Sequence, residues 1–258
     1  TDVIPKPMVE IGGKPILWHI MKIYCQHGIN EFIICGGYKH YLIKEYFVNY
    51  FQHNSDLTVD LGDNSVEIHN NRSEKWKVTI LDTGLDTMTG GRVKRIQEYV
   101  GDETFCLTYG DGVGDVNISK SIKLHQQSGK TLSMMAYQPS GKLGVLGISE
   151  NGTVLSFKEK PENGGSWINA GFFVCEPRLF DYLDGDSEMF EREPMQRLIN
   201  DGELHAYKHL GFWMPMDTLR DNQILNRMWD ENDATWKIWY VKVGTKWLLM
   251  VFTLERKY

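Results

Sequence analysis

The sequence lacks the features that mark disulfide-rich, zinc-binding and membrane-spanning proteins. Its 258 residues contain only four cysteines, which are widely spaced and include no Cys-x-x-Cys pair. The longest unbroken apolar run, WLLMVF at 247–252, is far shorter than the ~20 residues that cross a bilayer. No secretion signal is recognisable. We therefore expect a cytoplasmic protein with reduced cysteines and no membrane partner.

No block of lysines and arginines is present either. The chain has 28 Lys and Arg residues against 34 Asp and Glu residues, a formal net charge of −6 at pH 7. An acidic protein without a basic block does not attract nucleic acids or anionic membranes over long range. We therefore expect no nucleic-acid polymer as partner, whereas a small phosphorylated substrate with a metal ion stays compatible.

Several familiar catalytic motifs are also missing. The sequence has no GxxxxGK[ST] loop, and GDGVGD at 110–115 does not reproduce GxGxxG, which argues against P-loop enzymes and dehydrogenases. It contains neither HExxH nor GxSxG, and its eight histidines show no metal-ligand spacing. The chemistry must therefore come from other residues.

Apolar and polar segments alternate in a way that is typical of an α/β protein. Pro15 and Gly28 bracket an amphipathic segment, which predicts a helix, and EFIICGG at 31–37 predicts a buried strand. The alternation continues to residue 129 and predicts a mainly parallel sheet flanked by helices. From residue 131 onward, successive β-like runs predict additional mixed strands. The polar residues 54–77 predict a hairpin insertion.

This pattern predicts one large domain. We expect a single domain over residues 1–236, in which 1–130 form a nucleotide-binding part and 131–236 form a sugar-phosphate-binding part. Residues 237–258 are predicted to be a C-terminal extension without an assigned role. An edge hairpin or an oligomer contact is the simplest expectation for it.

Two aspartates are candidate metal ligands. Asp111 lies between Gly110 and Gly112 at the end of a predicted strand, which is where α/β sheets bind ligands. A carboxylate there suits Mg²⁺, but it could equally cap a loop as an Asx-turn. Asp217 precedes a predicted helix and is either its N-cap or, if it meets Asp111, a second ligand of the same ion.

Three further segments could bind anions. Two prolines flank Lys6, which prepares its side chain for an anion or simply makes a rigid lead into the first helix. Glu159 and Lys160 end an alternating strand, and these side chains suit sugar hydroxyls and a phosphate, although such strand ends are common on surfaces. The glycines at 90–91 precede Arg92 at a predicted helix start, which either contacts a nucleotide or only begins the helix.

Several segments in fixed order resemble the sugar-phosphate nucleotidyltransferases. They are PKPMVEIGGKPILWHIMK, GGYKHYLIKEYF, LDTG followed by TGGRVKRI, YGDGVGDV, FKEKP, NAGFFV and WMPMDTLRD. The resemblance extends from about Pro5 to Trp236 and implies a Rossmann-like nucleotidyltransferase fold. The members that the chain resembles most convert CTP and α-D-glucose 1-phosphate into CDP-glucose and pyrophosphate. They need Mg²⁺ and serve nucleotide-sugar biosynthesis of the dideoxyhexose and O-antigen type.

The resemblance also implies roles for individual residues. Asp111 and Asp217 would hold the metal, Lys6 would steady the phosphates, and Lys160 would bind the sugar phosphate. Glu159 and Asn169 would contact sugar hydroxyls. The full set of implied substrate-binding residues is Gly90, Gly91, Arg92, Thr108, Gly110, Gly144, Glu159, Lys160, Asn169 and Gly171. The reaction would be an in-line attack of the sugar phosphate on the α-phosphorus of CTP, without a protein nucleophile.

Family members commonly form homo-oligomers, so we expect one here. They also begin with a strand and a GGxGTR-type loop, which this sequence does not show, so we expect an N-terminal segment to be missing. Three alternatives stay open: a relative that uses UTP or dTTP, a metal-dependent glycosyltransferase, and a regulatory module that binds sugar nucleotides without turnover. Metal-dependent glycosyltransferases usually carry Asp-x-Asp at the metal, whereas here Gly-Val-Gly separates Asp111 from Asp115.

Overall fold

The fold is built from eight helices and fifteen strands within the part of the chain that the computed structural model describes. That part covers residues 4–139 and 166–239, and the backbone alone of 145–148, 154–158 and 247–252. The helices are α1 (Ile16–Gln26), α2 (His40–Val48), α3 (Tyr50–His53), α4 (Thr89–Lys94), α5 (Gln97–Val100), α6 (Ile118–Ser128), α7 (Glu193–Asn200) and α8 (Leu219–Asp230), with 3-10 helices at Lys6–Met8 and Pro177–Tyr182.

The strands form one large sheet and several small ones. They are β1 (Glu10–Ile11), β2 (Lys14–Pro15), β3 (Ile29–Gly36), β4 (Ser55–Asp60), β5 (Ser65–Asn71), β6 (Lys77–Asp82), β7 (Phe105–Tyr109), β8 (Gly112–Gly114), β9 (Leu132–Tyr137), β10 (Val145–Ile148), β11 (Val154–Lys158), β12 (Ile168–Cys175), β13 (Leu204–His209), β14 (Trp213–Pro215) and β15 (Trp247–Phe252).

The large sheet has seven strands in the order β13-β9-β12-β7-β15-β3-β6. Strand β12 runs antiparallel to both of its neighbours, whereas the other four neighbouring pairs are parallel. The predicted α/β fold, with a mainly parallel sheet and additional mixed strands, is therefore confirmed. The predicted insertion at 54–77 is also confirmed, because β4 and β5 form an antiparallel hairpin there.

Alternating side chains of the central strands fill two cores, one on each face of the sheet. On β3, Phe32 and Ile34 belong to one core, whereas Ile33 and Cys35 belong to the other. Successive side chains of a strand point to opposite faces, so a strand that is buried on both faces must be apolar throughout. The continuous apolar run at the end of β3 is therefore the sequence counterpart of a doubly covered sheet.

Two local predictions differ from the structure. The helix predicted at 92–100 is instead two short helices, and the first of them begins at Thr89. Residues 247–252, predicted to lie in an edge hairpin or an oligomer contact, form β15, which lies between β3 and β7 and is parallel to both. The division of the chain at residues 130 and 236 stays a prediction.

No helix among the described residues combines the length and the apolar character that crossing a bilayer requires.

A buried histidine joins the amino-terminal segment to the end of the fold. His19 in α1 is completely buried, and its Nε2 donates to the carbonyl of Ile11 at 2.8 Å. Its Nδ1 accepts from the indole Nε1 of Trp236 at 3.4 Å, which fixes the neutral tautomer. Burial lowers the pKa of His19 to about 4. Protonation of this ring is therefore linked to unfolding.

His19→Gln should weaken the pH dependence of stability. The unfolded chain protonates this histidine near its ordinary pKa of 6.5, whereas the folded chain does so only near a pKa of about 4. Because the unfolded state binds more protons between these values, the stability of the wild type falls as the pH falls through this window, by about 2 kcal/mol at about pH 5. Glutamine keeps an amide donor for Ile11 but does not titrate.

Urea unfolding from about pH 7 to about pH 5 measures this difference. His53→Gln, on the exposed α3, is the matched control and should keep the pH slope of the wild type. Equal slopes for His19→Gln and the wild type would contradict the assignment.

Candidate active site

A short strand pair brings the two candidate aspartates together. Strand β8 pairs antiparallel with β14, with Gly112 opposite Pro215, so the residues just outside the pair, Asp111 and Met216, also face each other. The N–H of Met216 donates to the carbonyl of Asp111 at 2.7 Å. Asp217 follows immediately. The pairing thus carries both carboxylates to the carboxyl end of β7, the edge at which such sheets bind ligands.

Lys6 lies between these carboxylates. Its Nζ donates to Asp111 Oδ2 at 2.8 Å and to Asp217 Oδ1 at 2.5 Å. The side chains of Lys6 and Asp111 are 16% and 19% exposed, whereas that of Asp217 is 40% exposed. The site is therefore partly desolvated and opens to solvent on the Asp217 side.

The backbone around Lys6 is constrained as the sequence predicts. Lys6 begins a 3-10 helix between Pro5 and the buried Pro7, and the N–H of Met8 donates to the Pro5 carbonyl at 2.8 Å. Proline fixes φ, so little freedom remains to be lost when the lysine side chain binds an anion. For Lys6 the sequence predicts either a rigid lead into the first helix or an anion-binding position. The structure shows that one segment can serve as both.

The ammonium of Lys6 is strongly favoured in its charged form. Burial opposes the charge, but the attraction and hydrogen bonds of Asp111, followed by those of Asp217, outweigh it and raise the pKa of Lys6. One cation faces two acids, so the cluster keeps an excess negative charge when all three are ionised. A second cation would be attracted here.

The donor set fits a magnesium ion that substrates complete. Mg²⁺ is usually held by one or two carboxylates and takes its other ligands from phosphates and water. Asp111 and Asp217 offer two such carboxylates within reach of one point, the Lys6 Nζ. Among the residues described, no group of three or more His, Cys, Asp or Glu side chains could hold a metal. The described residues alone therefore do not complete a metal cage there.

Asn169 lies next to the strand that leads to Asp111. Its Oδ1 accepts from the N–H of Gly171 at 2.8 Å, and its Nδ2 donates to the hydroxyl of Tyr109 at 3.3 Å. Gly171 has φ +75°, and a Cβ there would lie 2.4 Å from the Tyr109 ring. Only glycine allows β12 to approach β7 this closely.

The glycines at 90–91 lie in the first turn of α4, called the glycine turn below, and pack against the protein itself. The N–H of Gly90 donates to the Glu188 carbonyl at 2.9 Å, so this amide is engaged within the protein, and the contact of these glycines with a nucleotide stays a prediction. A Cβ on Gly91 would lie 2.5 Å from Asp186 Cα. These glycines therefore allow close packing of residues 186–188 against α4.

Arg92 is likewise engaged with the protein. It is only 7% exposed. Its Nη1 donates to the Thr83 hydroxyl at 2.6 Å and to the Gly36 carbonyl at 3.3 Å, and its Nη2 donates to the Leu85 carbonyl at 3.4 Å. The guanidinium joins the ends of β3 and β6 at the same edge of the sheet as Asp111. A direct contact between Arg92 and substrate stays a prediction.

The remaining implied residues fall into two groups. Thr108 is completely buried and its hydroxyl donates to the Gly171 carbonyl at 2.9 Å, so it supports the β7–β12 contact from within the core. Gly110 forms the buried turn before Asp111. Gly144, Glu159 and Lys160 lie outside the described residues, so their roles stay predictions.

Three residues that the sequence does not single out complete this region. Glu191 accepts from the hydroxyls of Tyr109 and Thr89, at 2.6 and 2.7 Å. Glu191 lies in the polar run EMFEREP, which has no periodicity. Tyr109 and Thr89 are the first residues of the segments YGDGVGDV and TGGRVKRI, and this was the only sequence signal for them.

Known proteins resemble this chain over most of its length. Residues 1–221 match the family described as Nucleotidyl transferase. The chain is 54% identical over 240 residues to the glucose-1-phosphate cytidylyltransferase of Salmonella typhi, with 93% of each chain covered. The enzyme of that name from Salmonella typhimurium matches equally, at 54% identity over 93% of each chain. The crystal structure of HddC from Yersinia pseudotuberculosis has a TM-score of 0.63 and 21% identity, covering 88% of this chain and 90% of that one.

Gly171→Ala should destabilise the protein by about 2 kcal/mol or more. An L-residue at this positive φ costs about 1–3 kcal/mol, and the new methyl group would also overlap the Tyr109 ring. Urea unfolding measures the change. Gly185→Ala is the control, because its Cβ would meet nothing within 4 Å, and its effect should stay below about 0.5 kcal/mol. Similar stabilities of the two variants would contradict the close approach.

Proposed function

The chain belongs to the nucleotidyl transferase family, and from this premise we propose that it transfers a cytidylyl group from CTP to α-D-glucose 1-phosphate, releasing pyrophosphate and CDP-glucose. Phosphate chemistry is supported by one observation, the convergence of Asp111, Asp217 and Lys6 at the carboxyl end of β7. The similarity to the Salmonella enzymes supports the choice of substrates.

The reaction joins two anions, so charge neutralisation and positioning carry most of the catalysis. Lys6, whose raised pKa keeps it protonated, brings a positive charge to the phosphates. Asp111 and Asp217 would hold Mg²⁺, which when bound offsets the negative charge of the triphosphate. The sugar phosphate oxygen attacks the α-phosphorus and pyrophosphate leaves, so the protein does not need a nucleophile.

Other residues serve the two substrates in this proposal. Asn169 contacts a sugar hydroxyl with the amide hydrogen that it does not donate to Tyr109. Lys160 binds the sugar phosphate and Glu159 a sugar hydroxyl, as the family resemblance implies. Arg92 shapes the nucleotide side by holding the loop after β6, through Thr83. Neutral amides and hydroxyls suit a sugar, whereas cations suit its phosphate.

The cellular location, oligomeric state and biosynthetic role of the enzyme are also part of the proposal. We propose that it works in the cytoplasm as a homo-oligomer, in nucleotide-sugar biosynthesis of the dideoxyhexose and O-antigen type. Light scattering of the purified chain measures the number of copies, and a monomer would contradict this part of the proposal.

Asp111→Asn should abolish Mg²⁺-dependent turnover while leaving the fold intact. Asparagine keeps the shape of the side chain but removes the charge that favours a divalent cation, so kcat should fall by about 10²-fold or more. Pyrophosphate release from CTP and glucose 1-phosphate measures turnover, and urea unfolding checks the fold. Asp102→Asn, exposed after α5, is the matched control. Near-normal activity of Asp111→Asn would show that Asp111 only caps its loop.

CTP should be the preferred nucleotide. The test compares kcat/KM for CTP, UTP and dTTP with glucose 1-phosphate. We expect kcat/KM for CTP to be higher by about tenfold or more, because a site that hydrogen-bonds one base leaves its polar groups unpaired when another base binds. Equal kcat/KM values for the three nucleotides would contradict the assignment of CTP as the substrate. No pyrophosphate from any of the three would favour a non-catalytic module.

A further inference from the structure

The segment between the second 3-10 helix and α7 lies against the glycine turn. The N–H of Gly90 donates to the Glu188 carbonyl at 2.9 Å, and the N–H of Phe190 donates to the Thr89 hydroxyl at 2.8 Å. Residue 191 is therefore held at a fixed place beside the start of α4. Its side chain extends from there toward β7.

The carboxylate of Glu191 joins two elements of the site. Oε1 accepts from the Tyr109 hydroxyl at 2.6 Å, and Oε2 accepts from the Thr89 hydroxyl at 2.7 Å. Tyr109 ends β7, two residues before Asp111, and Thr89 begins the helix that carries the glycine turn. Hydrogen bonds to a carboxylate are stronger than those between neutral groups. The two elements therefore have a defined separation.

The same hydrogen bonds fix the orientation of Asn169. The Tyr109 hydroxyl has a single hydrogen, which it donates to Glu191, and its oxygen accepts from Asn169 Nδ2 at 3.3 Å. Asn169 Oδ1 then faces the N–H of Gly171, at 2.8 Å. A reversed amide would place two donors against each other. The Glu191–Tyr109 pair and the Gly171 N–H together thus fix the orientation of the Asn169 amide.

We propose that Glu191 is a positioning residue that holds Asn169, on the sugar side, in one fixed relation to the glycine turn, which the family resemblance implies lies near the nucleotide. The inference rests on the proposed function, in which the two substrates must be aligned for in-line transfer. Misplacement of reacting groups by about 1 Å can cost about 10²-fold in rate. A carboxylate suits this role because it accepts from both hydroxyls at once.

Glutamine at position 191 cannot make both contacts in the same way. Its amide has one acceptor oxygen, so only one of the two hydroxyls can donate to it. If the nitrogen faces Tyr109, the Tyr109 hydroxyl must turn its hydrogen away from residue 191 and the Asn169 amide loses its constraint. If the nitrogen faces Thr89, the Thr89 hydroxyl loses its acceptor. Either arrangement relaxes one side of the site.

Four variants separate the two sides in steady-state assays of CTP with glucose 1-phosphate. Tyr109→Phe should raise KM for glucose 1-phosphate by about fivefold, the worth of one hydrogen bond, and leave KM for CTP within about twofold. Thr89→Val should do the reverse, and Thr89→Ser, which keeps the hydroxyl, should restore KM for CTP. Glu191→Gln should lower kcat by about tenfold or more, because the relation between the two sides is lost.

Two control variants remove similar bonds elsewhere. Glu203 also accepts from a threonine hydroxyl, that of Thr131 at 2.7 Å, and Tyr182 donates to Asp201 at 2.9 Å. Glu203→Gln and Tyr182→Phe should keep the kinetics of the wild type. Urea unfolding of every variant separates altered KM from loss of folded protein.

The outcomes distinguish failure of the proposed function from failure of the positioning role of Glu191 alone. A wild type that does not turn over CTP and glucose 1-phosphate overturns the proposed function and this inference with it. An active wild type with Glu191→Gln and Tyr109→Phe kinetics equal to those of the controls overturns the inference alone. So does a fall in activity that only follows the folded fraction, with both KM values unchanged.

Discussion

A lysine ammonium between two carboxylates is the interaction on which the arrangement of this site depends. Asp111 and Asp217 come from distant parts of the sequence, and without a cation their charges would repel each other in a partly desolvated place. Lys6 makes their proximity favourable and, at 16% exposure, is itself sheltered by them. The β8–β14 pair holds the two aspartates together, and Lys6 compensates one of their two negative charges. The same excess of negative charge favours a divalent cation when phosphates arrive.

The charged cluster of Lys6, Asp111 and Asp217 lies at one edge of the large sheet. Strands β3, β15 and β7 are parallel neighbours, so their carboxyl ends lie side by side. Parallel strands buried on both faces need apolar residues throughout, which confines polar chemistry to the loops beyond their ends. Arg92 and Asp111 both lie at this edge for that reason. The β8–β14 pair then adds the second acid, Asp217, from a later part of the chain.

Local features were predictable from the sequence, whereas most contacts between residues distant in the sequence were not. Helix α1 was marked by Pro15 and Gly28, and Asp111 by its place after an apolar strand. The pairing of β8 with β14 could not be predicted, because strands of three residues carry no periodicity. The glycines at 90–91 look the same in sequence whether they admit a nucleotide or the neighbouring segment 186–188. For β15 a signal existed, since a fully apolar run is typical of a strand covered on both faces.

The close approaches in this site explain why a polar network is needed in addition to the fold. Gly171 brings β12 onto Tyr109, and the turn at 90–91 brings residues 186–188 onto α4. Both are apolar or backbone contacts, which fix distances between chains but do not orient an amide or a hydroxyl. Hydrogen bonds with a defined donor and acceptor do so, and Glu191 has the acceptors to orient both sides. In the proposed transfer, which needs no protein nucleophile, the orientation of binding groups is most of what the protein contributes.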